Sequence, residues 1–226
     1  MEGNRLVAPM TKTTLDSIIS GRGVYKLSDK ALLDHPEIED IQSKGHKFDV
    51  GSGAFKILSD ILYFDKKQSD NDVQILGLEN LNRTYRWINQ DYLNPPESFR
   101  KYKVFFPQAN GSGAIGEVIS TPLIGAPLIG ATETFLSIGG FETKEEAEAC
   151  LKYIKTKFAR AMLGVLKITQ ATTRDKWAKV PLQDFTSNSD IDWSQSIAEL
   201  DAQLYRKYGL SQEEIDFIES KVKEME

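Results

Sequence analysis

The stretch Thr143–Ile168, TKEEAEACLKYIKTKFARAMLGVLKI, decides how the rest of the chain is read. Ala147, Cys150, Leu151, Ile154, Phe158, Ala161, Met162 and Val165 recur at intervals of three and four, which places them on one stripe of a single amphipathic helix. Such a stripe has to be buried, so a core forms on that side. Thr143 and Glu146 have the spacing of a capping box, in which hydroxyl and carboxylate each satisfy a free amide of the first turn. The remaining face is basic, with Lys152, Lys155, Lys157, Arg160 and Lys167, and the polar loop TQATTRDKWAK follows it. The helix is therefore expected to bury one face and to present cations on the other.

Upstream of this helix the pattern is extended. VQILGL (73–78) and RTYRWI (83–88) are rich in branched and aromatic residues and flank the polar Glu79–Asn82, which reads as a hairpin. Alternation puts Arg83, Tyr85 and Trp87 on one side and Thr84, Arg86 and Ile88 on the other. YKVFFP (102–107) is the next strand. The loop after it contains Asn110-Gly111-Ser112-Gly113, a run able to aim backbone amides at a phosphate and equally able to serve as a plain hairpin turn. PLIGAPLIGA (122–131) holds the same five residues twice, too few copies for a solenoid, and reads as a buried turning segment. It leads into the strand TETFLSI, which is expected to end at Gly139-Gly140.

The flanks are shorter elements. Met1–Met10 has no periodicity and reads as a frayed start, while Leu15, Ile18 and Ile19 mark a helical turn closed by Gly21 and Gly23. VPLQDF (180–185) reads as a short strand. Ile197, Leu200, Leu204, Tyr205 and Tyr208 define a helix stopped at Gly209, and Ser211 with Glu214 opens a last helix with Ile215, Ile218 and Val222 inward. The expected architecture is α+β: a twisted, mostly antiparallel sheet packed on one long amphipathic helix within residues 1–188. An acidic helical extension, residues 189–226, packs on it.

Composition bounds the possibilities. The chain has 226 residues, 40% of them hydrophobic, enough to fill a core. No apolar run reaches the roughly 18 residues of a membrane span, a lone Cys150 makes no internal disulfide, and no signal sequence opens the chain. A cytoplasmic protein without a membrane partner is the expectation. The formal net charge of −5 conceals a polarity: Asp190–Glu226 holds ten acidic and four basic residues, whereas Lys144–Lys179 holds nine basic and four acidic. An ordinary solvated helix face and a surface for a polyanion both account for that cluster. The acidic tail helices are expected to pack away from any polyanion.

Several chemistries find little footing. His35 and His46 have no Cys or His neighbour at metal-ligand spacing, so no metal site is expected. Glu142-Thr143-Lys144 has the Glu-x-Lys spacing of metal-dependent nucleases, but no acidic residue between Glu117 and Glu133 completes it. FDVGSGAF (48–55) is similar to the glycine-rich cofactor motif of S-adenosylmethionine-dependent methyltransferases, and Asn94-Pro95-Pro96 to the turn that holds their target amine. Both depart from the pattern. Polar QSKGHKF stands where a buried strand belongs, Asp49 lies two residues too close to the glycines, and Glu97 replaces a stacking aromatic.

Five stretches carry a family likeness: LDSIISGRG, ILGLENLNRTYRWI, FRKYKVFFPQANGSGAIGEVISTPLIG, YIKTKFARAMLGVLKITQ and VPLQDFTSNSDIDWSQSIAELDAQLYRKYGLSQEEIDFIE. Together they resemble the C-terminal target-recognition region of type II restriction-modification adenine DNA methyltransferases, which is related in fold to the recognition domains of type I specificity subunits. The resemblance implies a sequence-specific module for double-stranded DNA, without turnover or cofactor of its own. Its partner would be a catalytic methyltransferase domain in cis that uses S-adenosylmethionine.

Residue types then nominate contacts. Asn and Gln pair bidentately with adenine and Arg with guanine, so Asn110, Ser112, Gln170 and Arg174 are the candidates for bases. Lys155, Lys157, Arg160, Lys176 and Arg86 are candidates for phosphates, with Arg83, Gly111, Gly113 and Thr169 completing the DNA-binding set. Two other readings remain: a small stand-alone S-adenosylmethionine-dependent methyltransferase, and a protein-interaction domain that docks through its tail helices.

Overall fold

A computed structural model describes residues 13–64 and 66–225; the frayed start expected for Met1–Met10 lies outside them. The strands are β1 (Lys26–Leu27), β2 (Asp72–Glu79), β3 (Asn82–Asn89), β4 (Leu93–Asn94), β5 (Tyr102–Pro107), β6 (Leu123–Gly125), β7 (Ile129–Ala131) and β8 (Phe135–Phe141). Three short helices, α1 (Asp29–Asp34), α2 (Ile38–Ile41) and α3 (Ala54–Ile57), precede β2. The longer ones, α4 (Lys144–Lys155), α5 (Lys157–Gly164), α6 (Ile197–Tyr208) and α7 (Gln212–Lys221), follow β8. The class is α+β. Instead of one sheet, the strands form three: β1-β4, β3-β2-β7 and β6-β5-β8.

Strand β5 divides the interior. Val104 and Phe106 face a cluster with Leu136, Ile138, Tyr153, Phe158 and Trp177, whereas Phe105 faces a second cluster with Tyr25, Ile75, Phe99 and Phe135. A strand buried on both sides reads as a continuous apolar run, and Val104–Phe106 is one. The single charge of β5, Lys103, is fully buried; the ammonium donates to the carbonyls of Phe99 (3.3 Å), Ala126 (3.1 Å) and Ile129 (3.1 Å). Burial lowers its pKa to about 8.

The doubled pentapeptide is not one turning segment. Its first copy forms β6 and pairs with β5; its second forms β7 and pairs parallel to β2. PLIGAPLIGA therefore stitches the two three-stranded sheets together. A Cβ on Gly125 would lie 2.3 Å from the Phe105 ring, and one on Gly130 would lie 2.8 Å from Ile75, so each copy needs its glycine for close approach. Gly139 and Gly140 sit inside β8 rather than after it, at a register shift between Tyr102 and Val104 of β5.

The central helix is broken. Thr156, at φ −59° and ψ 149°, separates α4 from α5, and its buried hydroxyl accepts from the Ala159 amide (3.1 Å) while donating to the Tyr153 carbonyl (2.7 Å). Asp201 of α6 takes the Lys157 and Phe158 amides (2.9 and 2.8 Å), so side chains satisfy the free donors that an unbroken helix would have bonded internally. At the other end of α4, Thr143 caps as expected, but Glu146 accepts from the Glu142 amide, one residue before the box position. The complete capping boxes are Ser196 with Glu199 and Ser211 with Glu214, and α6 ends on Gly209 at φ 62°.

The helical extension completes the larger cluster: Leu200, Leu204, Tyr205, Ile218 and Val222 pack with Phe158 and Met162. VPLQDF forms no extended ladder. Val180 accepts from the Leu15 amide and Leu182 donates to Thr13, which ties the segment to the start of the described chain. In the other half, β2 and β3 form the expected hairpin through a two-residue turn, Asn80 (φ 50°) and Leu81 (φ 65°). Such a turn requires positive φ at both positions because only then does its twist match that of the strands. Asn tolerates this; a leucine there is strained by about 1–2 kcal/mol.

Candidate nucleic-acid interface

The cations expected on an exposed helix face are not free. Arg160 is only 2% exposed and donates to the carbonyls of Lys155 (3.0 Å), Gly116 (3.4 Å), Glu117 (3.4 Å) and Lys223 (2.5 Å). Lys157 pairs with Glu219 of α7 at 2.5 Å and lies 3.8 Å from Glu224. Lys152 reaches the carbonyls of Trp193, Ser194 and Gln195, just before α6. Lys155 is half-buried beside a cleft of about 740 Å³ whose walls also carry Asp201, Glu219 and Glu224. The acidic tail thus packs over the helix cations rather than away from them, and Lys157 and Arg160 are corrected from phosphate contacts to packing residues. The break at Thr156 is the reason: it turns α5 so that its cations meet α6, α7 and the 116–117 carbonyls.

The hairpin arginines are also committed. Arg86 pairs with Glu79 (2.7 Å), donates to the Leu62 carbonyl (3.1 Å) and stacks over Phe55 and Phe64, so it too is withdrawn from phosphate. Arg83 donates to the carbonyls of Thr121 and Ser120, which fastens the hairpin to the segment after the glycine loop.

Two loops distant in sequence come together. The Asn110 amide donates to the Gln170 carbonyl (2.7 Å), the Thr172 amide to Gln108 (2.8 Å), and the Lys167 ammonium to the Asn110 carbonyl (2.8 Å). Within the first loop, Glu117 occupies the place proposed for an anion. It accepts from the Ser112 amide (2.8 Å), the Ser112 hydroxyl (2.5 Å), the Gly113 amide (3.1 Å) and Lys167 (3.2 Å). Burial alone would raise its pKa, but the Ser112 and Gly113 donors and Lys167 outweigh that and hold it at about 2. Gly111 (φ 64°) and Gly113 (φ 96°) are required here, since a Cβ on either would overlap Glu117 or the Thr169 backbone. The amides of Ser112 and Gly113 therefore form a carboxylate clamp instead of a phosphate site, and Ser112, nominated for a base, is corrected too, because its hydroxyl donates to Glu117. Asn110 holds the loop by donating to Val118 (2.8 Å) and accepting from Ser120 (2.7 Å), so it reads no base in this arrangement.

What remains outward is the second loop. Thr169, Gln170 and Arg174 are exposed, and the Gln170 amide has no hydrogen-bond partner among the described residues. Arg174 donates through Nε to the Asp16 backbone carbonyl (2.8 Å), which orients the guanidinium without covering it; Lys176 pairs with Asp175 at 2.7 Å. The fold adds two cations that composition hid inside the acidic tail. Lys221 and Lys223 are exposed beside Gly116, to which the Lys223 amide donates at 3.1 Å. Glu117, the one acid in the otherwise uncharged run 108–121, was the available signal for the clamp.

The methyltransferase-like stretches do not fit S-adenosylmethionine. Asp49 is bound by Lys26 (2.5 Å) and His46 (2.7 Å), turns precede it instead of a buried strand, and Glu133 lies 3.1 Å from where a Gly51 Cβ would stand. Asn94 pairs with Lys26 as part of β4. Among the described residues no cluster of His, Cys, Asp or Glu is arranged to hold a metal, and no helix is long and apolar enough to cross a membrane. Comparison with protein-family models and with curated proteins finds no match to this chain.

Proposed function

We propose that this chain is the DNA target-recognition module of a restriction-modification adenine methyltransferase, and that it reads duplex DNA through the edge formed by residues 108–113 and 168–176. The carrying observation is the clasp between these loops: backbone bonds from Asn110 to Gln170 and from Thr172 to Gln108 join them, and Thr169, Gln170 and Arg174 stand exposed on the joined loops. Polar side chains on loops fixed by a scaffold are how sequence-reading surfaces are commonly built. Gln170 has the donor–acceptor pair for adenine and Arg174 the fork for guanine. Lys176, Lys221 and Lys223 lie on or beside this edge and serve the phosphates. The likeness to target-recognition regions supports the same reading. The catalytic methyltransferase domain, with its S-adenosylmethionine, would be a partner in cis, and the chain by itself would have no turnover.

Selection of the full chain against a random duplex pool, followed by anisotropy titrations at several salt concentrations, tests the reading. An enriched sequence is expected. With only about three phosphates neutralised, the slope of log K against log salt should be about −3. Failure to enrich any sequence, or binding indifferent to salt, overturns the proposal.

A further inference from the structure

Leu81 combines two unfavourable features with no return inside the fold. It is 93% exposed, the most exposed of the large hydrophobics among the described residues, and it holds a positive φ that glycine adopts freely and leucine does not. Its immediate neighbours, Asn80 and Asn82, are exposed, with the Asn82 amide donating to the Asn80 carbonyl (3.2 Å), and the nearest acid, Glu79, is neutralised by Arg86. Two residues further on, Arg83 fastens the hairpin to Ser120 and Thr121, and the Ser120 amide in turn donates to Asn110 of the clasped loops. The hairpin that carries the tip is therefore fastened, through Arg83 and Ser120, to the loop that supports the recognition edge.

Resting on the proposed DNA-reading function, we infer that the β2–β3 tip is a minor-groove wedge, in which Leu81 enters between two base pairs while the Asn80 and Asn82 amides meet the groove edges. An aliphatic side chain flanked by asparagines is the chemistry that unstacks a base step from the minor groove and kinks the duplex. Glycine at the same position relaxes the turn and removes the wedge together, which separates this role from a structural one.

The test uses the full chain and the duplex recovered by selection, labelled at both ends for energy transfer and carrying 2-aminopurine at successive steps. Wild type is expected to shorten the end-to-end distance and to brighten 2-aminopurine at one step. Leu81→Gly should abolish both signals and weaken binding about tenfold while the melting temperature holds or rises. Leu33→Ala, which removes an aliphatic side chain 80% exposed on α1, should change nothing. If wild type binds the duplex without bending it, or Leu81→Gly bends it equally, the wedge is wrong and the recognition reading stands. If the chain enriches no duplex at all, both fall.

Discussion

Arg160 and Arg174 carry the same side chain fourteen positions apart and end in opposite settings. On the helical side, Arg160 is enclosed by four backbone carbonyls, and Lys157 is paired with the tail. On the loop edge, Arg174 is exposed and held by one bond to Asp16. The difference shows that cationic residues within one segment need not serve one purpose. A helix that packs between a loop and two further helices turns its cations toward unsatisfied carbonyls, whereas a loop already fixed through its own backbone leaves side chains outward.

The strongest way to break that contrast is Arg160→Met. Four carbonyls then lose a charged donor, and the chain should lose about 3–4 kcal/mol in urea unfolding. A loss below about 1 kcal/mol would mean that the enclosure contributes little and that Arg160 is available for other work. For the same reason a charge reversal at Arg160 is no test of DNA binding, because it acts on folding first.

Glu117→Gln should cost about 2–3 kcal/mol by leaving Lys167 without its carboxylate, and amide exchange at Ser112 and Gly113 should quicken. The pH profile sharpens the comparison further. Glu117, held at about 2, adds stability that is fully present above the ordinary carboxylate range and is lost as pH falls toward 2. Asp201 behaves oppositely: burial raises it to about 6 despite the Phe158 and Lys157 amides, so its stabilising protonated form is lost as pH rises through about 4 to 6. Asp201→Asn should flatten the profile between pH 4 and 6 and leave the fall below pH 4 intact; an unchanged profile in that window would count against the raised value.

On the loop edge the expected effects are on binding rather than on folding. Gln170→Ala should weaken binding to the selected duplex about 5- to 100-fold and relax preference at one base pair, with an unchanged melting temperature. Equal weakening on every sequence would reassign Gln170 to the backbone. The smallest effect is expected from Lys221→Gln with Lys223→Gln, which should reduce the salt slope by about 1 to 2 without altering preference.

Much of the local structure was legible. The β2–β3 hairpin, the YKVFFP strand, the tail helices with the Ser211 box and the stop at Gly209 follow from alternation, helical spacing and capping chemistry, which act over a few residues. Thr156 was not legible as a break, because a threonine inside a periodic stripe is tolerated by many helices. It ends α4 here because Asp201, forty-five positions away, satisfies the amides that follow. The doubled pentapeptide was misread for a similar reason: pairing partners, not its own pattern, send one copy to β5 and the other to β2.

By itself, then, the sequence determined the β2–β3 hairpin, the β5 strand, the tail helices with several of their starts and stops, and that cations gather between Lys144 and Lys179. Only the tertiary structure decided which of those cations are exposed, that Glu117 rather than a ligand fills the glycine loop, and that Lys221 and Lys223 stand beside Gly116. Periodicity records a residue's own face. Whether a charge on that face meets water, a carbonyl or a carboxylate depends on the elements packed against it, and those come from elsewhere in the chain.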